Sequence, residues 1–199
     1  MFSVAKFAGP YPFPPLTGHD TIRLFRLHHH EAEDAPLAGE LFEYFLRDSG
    51  TLHLYEALSY TWGSEDTPES VVVDGRLFAI TANLHKALVR LRNHTLDRVI
   101  WIDAICLNQR DDAEKQQQIP LMVDIYRKAS RIIVDLGSAV ATKDSKLATY
   151  DPSQALEYIR LAAEGKQSAL DNAEERTGAI MSLLRRPYFQ RSWVHNDTD

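Results

Sequence analysis

Residues 55–63 read YEALSYTWG, an apolar run of strand length that stops in two hydroxyl side chains, an indole and a glycine. Some forty residues later the pattern returns. Arg98 to Arg110 reads RVIWIDAICLNQR, again an apolar run that ends in polar groups just ahead of a helical pattern. In an open α/β sheet the ends of parallel strands and the starts of the following helices enclose the crevice where ligands bind. Two such endings point to one shared site.

Outward from these two segments the chain alternates between helix and strand. Val99 to Cys106 is apolar on both faces, as a central strand covered by helices tends to be. Asp103 interrupts it. A carboxylate there is costly to bury without a partner, so it lies at the strand's open end or has a dedicated donor. Asn83 is a candidate cap for a helix whose Leu84, Ala87, Leu88 and Leu91 form one apolar stripe. Asp111 and Asp112 suit the start of a further helix over 113–130, and Pro120 predicts a kink or a division inside it. Arg131 to Leu136 (RIIVDL) reads as a third strand of this layer, closed by Gly137. The alternation from Asn83 to Gly137 argues for an α/β layer.

The flanks are less regular. Pro10, Pro12, Pro14 and Pro15 make the lead-in extended, and it is expected to lie along the surface. Thr21 to Leu27 and Gly39 to Leu46 read as strands or short irregular elements on either side of an acidic loop, His28 to Asp34. Ser70 to Ile80 is a hairpin about Asp74-Gly75, read as a decoration. Beyond a polar loop, 152–164 and 172–184 read as helices, with Leu156, Ile159, Leu161, Ile180, Leu183 and Leu184 as core candidates.

Composition narrows the function classes. The chain has 199 residues, 22 basic and 28 acidic, for a formal charge of -6, which disfavours a broad nucleic-acid footprint. One cysteine, Cys106, leaves no internal disulfide framework and fits a reducing compartment. No run reaches the roughly twenty apolar residues of a membrane span, and no signal-peptide core is evident, so the expected location is cytoplasmic. No metal site is expected: His28, His29 and His30 are adjacent, point different ways and read as a solvated turn.

Ser59, Tyr60, Trp62 and Gly63 are candidates for nucleotide contact, supplying hydroxyls, stacking faces and a close backbone approach. Asn108, Gln109 and Arg110 suit an amide or a phosphate. For each of these, packing or loop capping is the competing reading. Asp103 and Glu114 are the candidate acids, against roles as a network aspartate and a solvated cap. No glycine-rich phosphate cradle is present, so helix N-termini and arginines would hold a pyrophosphate. Cys106 with a histidine such as His85 is a third possibility, a cysteine hydrolase, weakened by the apolar setting of the thiol.

YEALSYTWG at 55–63, WIDAICLNQ at 101–109 with EKQQQIPLM after it, and IYRKASRIIVDLG at 125–137 resemble the three blocks of the fungal heterokaryon-incompatibility (HET) domain. The lead-in, ITANLHKAL and RRPYFQRSWV are similar to that family too, so the likeness covers nearly the whole chain. It implies a single HET domain over 1–199: a Pro-rich lead-in (1–20), an α/β core (21–137) and a helical C-terminal part (138–199). The family is distantly similar to Toll/interleukin-receptor (TIR) domains. The implied fold is therefore α/β and TIR-like or flavodoxin-like, a central mostly parallel sheet flanked by helices, with an N-terminal β decoration, a hairpin insertion and a helical annex. The implied function is an effector of non-self recognition and programmed cell death, either cleaving NAD at the nicotinamide ribosyl bond or acting as a non-catalytic assembly module. Self-association and regulatory or sensor partners go with it. No cofactor is required, NAD being a substrate. The resemblance adds a third acid, Asp197, four residues after Trp193, where the family more often carries glutamate.

Overall fold

The computed structural model describes residues 11–32, 34–46, 53–64, 69–137, 150–166 and 173–190. They divide into two compact units at Asp135/Leu136.

The first unit is built on a seven-stranded sheet of order β5-β4-β2-β1-β6-β3-β7. Its strands are β1 (Thr21–Leu27), β2 (Ala38–Phe45), β3 (Glu56–Tyr60), β4 (Glu69–Val73), β5 (Arg76–Ile80), β6 (Arg98–Trp101) and β7 (Arg131–Asp135). β1 lies in the middle, antiparallel to β2 on one side and to β6 on the other. The N-terminal strands are therefore not a decoration. TIRLFRL places apolar side chains on both faces because both are covered: Ile22, Leu24, Phe25 and Leu27 are all within 1% of full burial. Nor is the sheet mostly parallel. The pairings β2/β4, β3/β6 and β3/β7 are parallel, while β1/β2, β1/β6 and β4/β5 are antiparallel.

The hairpin turns at Asp74 (φ 49°) and Gly75 (φ 75°), the two positive φ values that a two-residue turn of this hand needs. It extends the sheet, since β4 pairs with the start of β2. Helix α1 (Ala82–Leu91) follows, buries Leu84, Ala87 and Leu88, and is capped by Thr81, whose Oγ1 accepts from the Leu84 amide at 3.3 Å. Thr81 takes the capping role expected of Asn83, because Asn83 Nδ2 instead donates to the Thr61 carbonyl at 3.1 Å. Burying each leucine of the α1 stripe stabilises the unit by about 1.5–3 kcal/mol.

The run Val99 to Cys106 is not one strand. β6 ends at Trp101, and a single helical turn, α2 (Asp103–Cys106), begins as the Asp103 carboxylate accepts from the Ala104 amide at 2.8 Å. Asp111 caps α3 (Asp112–Gln118), accepting from the Glu114 amide at 3.0 Å. Pro120 divides the helical stretch as its missing amide requires: a 3-10 turn over Ile119–Leu121 separates α3 from α4 (Met122–Lys128).

β6 lies on one side of β3 and β7 on the other. The connections β3→β6 and β6→β7 thus run in opposite directions along the sheet. Ligand sites in open α/β sheets lie at such reversals of direction.

The second unit contains α5 (Pro152–Ala163) and α6 (Ala173–Leu184), followed by a 3-10 turn at Pro187–Gln190. Its buried apolar set is Ala155, Ala179 and Leu183. Leu156, Ile159 and Leu184, expected in the core, are exposed. Small residues face inward here: Gly178 sits where an added Cβ would fall 2.5 Å from the Tyr150 ring.

Candidate functional site

A cleft of about 480 Å³ opens in the first unit, within the range usual for small-molecule sites. Trp62 comes to it from the end of β3, Ala104 and Leu107 to Arg110 from the segment after β6, Leu77 to Thr81 from β5 and the start of α1, and Tyr11 and Phe13 from the lead-in.

One hydrogen bond joins the two strand ends. Trp62 Nε1 donates to Asp103 Oδ2 at 2.9 Å, and the other carboxylate oxygen is held by the Ala104 amide. Asp103 therefore has the dedicated donor that its place in an apolar run demands, and it sits at the strand's open end as well. Gln109 Nε2 donates to the Asp103 backbone carbonyl at 3.0 Å, so three cleft-lining residues, Trp62, Ala104 and Gln109, are fixed by one aspartate. Asp103 is a positioning residue for that wall.

Glu114 is differently placed. Its carboxylate takes Arg23 in a two-pronged pair, 2.7 and 3.0 Å, and also accepts from the Asn108 amide at 2.8 Å. The side chains are 1% and 11% exposed, and the same guanidinium donates to the carbonyls of Pro14 and Cys106. Glu114 is thus the hub of a buried network that shapes the loop carrying Asn108, and it does not line the cleft.

Of the expected nucleotide contacts, Trp62, Asn108, Gln109 and Arg110 line the cleft. Asn108 Oδ1 accepts from the Arg110 amide at 3.2 Å, which curls the loop and leaves the exposed Arg110 guanidinium without an ion pair among the described residues. Ser59 and Tyr60 are buried in β3, 5% and 2% exposed, and are not part of the lining. Gly63 stands behind the wall: it has φ 77°, and a Cβ there would fall 2.5 Å from Asn83 Nδ2, so the turn out of β3 requires glycine. Asp197 and Trp193 lie outside the described residues.

Sequence reasoning missed four contributors: Tyr11, Phe13, Phe78 and Arg23. Arg23 carried a signal, a cation on the same strand face as Phe25 and Leu27, which demands a buried acceptor. The aromatics had none, since nothing local places a lead-in against a hairpin.

Chemistry at Cys106 is disfavoured. The thiol is 3% exposed, burial pushes its pKa up to about 12, and its sulfur accepts from the Ile102 amide at 3.3 Å. The histidine tract serves the turn, with His29 bonded to Asp97 at 2.7 Å and His30 Nδ1 accepting from the Ala32 amide. Among the described residues no group of three or more His, Cys, Asp or Glu side chains is arranged to hold a metal ion, and no helix is long and apolar enough to cross a membrane.

An α/β unit with an aromatic and amide-lined cleft beside its parallel strand ends offers a candidate small-molecule site. Residues 55–196, from β3 of this unit onward, match the family model of the heterokaryon incompatibility protein (HET), and the chain belongs to that family. Heterokaryon incompatibility protein 6, OR allele, of Neurospora crassa is 40% identical over 99 residues, which cover 43% of this chain and 15% of that protein. The chain thus matches a small fraction of its relative's length. No solved structure matches it.

Proposed function

We propose that this chain is the HET effector module of a fungal non-self recognition protein, and that its cleft binds NAD and cleaves it in the manner of TIR enzymes. The observation that carries the reading is the Trp62–Asp103 bond, which ties an indole and a carboxylate together where β3 and β6 end. The relative bears the name heterokaryon incompatibility protein, which supports a role in incompatibility and cell death.

The lining suits a dinucleotide. Trp62, Phe78 and Tyr11 offer faces for planar bases, Asn108 and Gln109 can pair with a carboxamide, and Arg110 with the start of α1 at Thr81 can meet phosphate. In the reaction, water adds to C1′ of the ribose, the bond to nicotinamide breaks, and the proton of the water leaves to solvent. The products are ADP-ribose and nicotinamide. Positive charge on the ribose builds as the bond opens, and a nearby carboxylate stabilises it electrostatically. Asp103 stands behind Trp62, outside the lining itself, and acts through its charge and by orienting the indole; Glu114 is paired with Arg23 and supports the loop.

The test is nicotinamide release from NAD by concentrated protein, alongside calorimetry with ADP-ribose. Trp62→Ala is expected to abolish release and weaken ADP-ribose binding, and Asp103→Asn to reduce turnover more than binding. A wild-type chain that neither binds ADP-ribose nor releases nicotinamide sinks the proposal. That result favours the alternative assembly module, for which the exposed Ile119 and Val123, one turn apart, are the natural contact face.

A further inference from the structure

Two unlike sets of side chains line the cleft. Around Trp62 it is polar, with Asp103 behind it and the amides of Asn108 and Gln109 beside it. The second set is an aromatic cluster assembled from two distant parts of the chain, the lead-in and the hairpin. Tyr11, Phe13 and Phe78 stand edge to face, with ring centroids 5.0, 5.5 and 5.9 Å apart and interplanar angles between 70 and 86°.

This cluster is preformed. Tyr11 donates its hydroxyl to Asp74 in the hairpin turn, and burial together with that bond raises the phenol's pKa, so the donor stays protonated. Phe13 lies under the Arg23 guanidinium, 5.1 Å from its centroid, and the same guanidinium holds the Pro14 carbonyl at 2.6 and 2.9 Å. The lead-in is pinned once more where the Thr17 amide donates to Glu43 at 2.5 Å. Rings held this way lose little freedom when a flat ligand arrives.

From the proposed NAD reading, which places the nicotinamide ribose beside Trp62 and Asp103, we infer that the Tyr11–Phe13–Phe78 wall takes the adenine base. Phe78 is the specificity-determining residue there. The cleft then selects a ligand with a second aromatic base over a mononucleotide, and the hairpin and lead-in are part of the binding site. Arg110, which carries no ion pair among the described residues, meets the anionic phosphates of the same ligand.

Calorimetry with ADP-ribose and with nicotinamide mononucleotide, on wild type and on Phe78→Ala, decides the matter. Phe78 is only partly buried, so the substitution is compatible with folding, and Tyr11→Ala gives a second route to the same wall. Loss of one stacked base predicts roughly a five- to hundredfold weaker affinity for ADP-ribose. Affinity for nicotinamide mononucleotide should be unchanged, and Phe78→Trp should restore ADP-ribose binding. ADP-ribose binding that ignores both Phe78→Ala and Tyr11→Ala, or equal losses for the two ligands, overturns this assignment alone. A wild-type chain that binds neither ligand overturns the NAD reading beneath it.

Discussion

The residues before Tyr55 and those after it differ in what marks them. From Tyr55 onward the chain matches a family model, and its most distinctive side chains sit at strand ends, around the cleft. Before Tyr55 lies β1, the middle strand of the sheet, whose core side chains are ordinary aliphatic and aromatic residues around the buried Arg23, and a lead-in that supplies two aromatics to the cleft. The recognisable segment and the folding unit therefore do not share a boundary. A signature follows the chemistry of a site, whereas a central strand can be filled by any side chains of suitable shape.

Deleting residues 1–54 is the most severe challenge to that contrast. It removes β1 and β2, strips β6 of its antiparallel partners at Phe25, Arg26 and Leu27, and uncovers the core against which Leu84, Leu88 and Ile100 are buried. An unpaired central edge of this kind aggregates. The expected outcome is loss of soluble, cooperatively melting protein, read by gel filtration and circular dichroism. A monomeric fragment with a sharp thermal transition would show that the family-matched region folds by itself.

The difference between the two regions also explains what was readable in advance. Local chemistry was legible: Asp74-Gly75 could only be a tight turn, Asp111 a cap, Pro120 a break, and Asp103 a carboxylate in need of a donor. Elements whose limits depend on distant neighbours were not. Val99 to Cys106 stays apolar through a change from strand to helix because both parts are buried, so no periodicity marks the switch at Asp103. Asn83 was displaced from its cap by a carbonyl 22 residues earlier, that of Thr61. The leucines at 156 and 184 look like core positions on a helical wheel, but α5 and α6 bury Ala155, Ala179 and Leu183 instead. The likeness to a mostly parallel fold failed at β1, whose antiparallel insertion cannot be inferred from a strand pattern alone.

A narrower probe cuts the main bond between the regions. Glu114→Ala leaves Arg23, 2% exposed, without its carboxylate, and frees the Asn108 amide as well. Breaking one partner of a buried pair costs about 3–5 kcal/mol, whereas Arg23→Met with Glu114→Leu together removes both charges and recovers most of it. Urea denaturation of the two variants measures this. A loss below about 1 kcal/mol for Glu114→Ala would mean that water reaches the pair, and that the lead-in is held by its aromatics rather than by Arg23.

The mildest probe is acidification, acting on the outermost tie. Glu43 is half-buried at the surface, and the Thr17 amide, then the Thr17 hydroxyl, hold its carboxyl below the ordinary value of 4.5. Because the folded group is the stronger acid, its contribution is complete at and above the ordinary carboxylate range and disappears as pH falls through the depressed folded value. The Thr17 amide resonance should therefore keep its position from neutral pH down to about pH 5 and move only in more acidic solution. In Glu43→Gln that acid transition should vanish. The rest of the sheet should be undisturbed, since the Tyr11–Asp74 bond and the Arg23 bond to the Pro14 carbonyl still secure the segment ahead of Thr17. If the Thr17 resonance instead moves together with amides in β1, the lead-in and the central strand release as one piece, and the two regions are coupled more tightly than their separate ties imply.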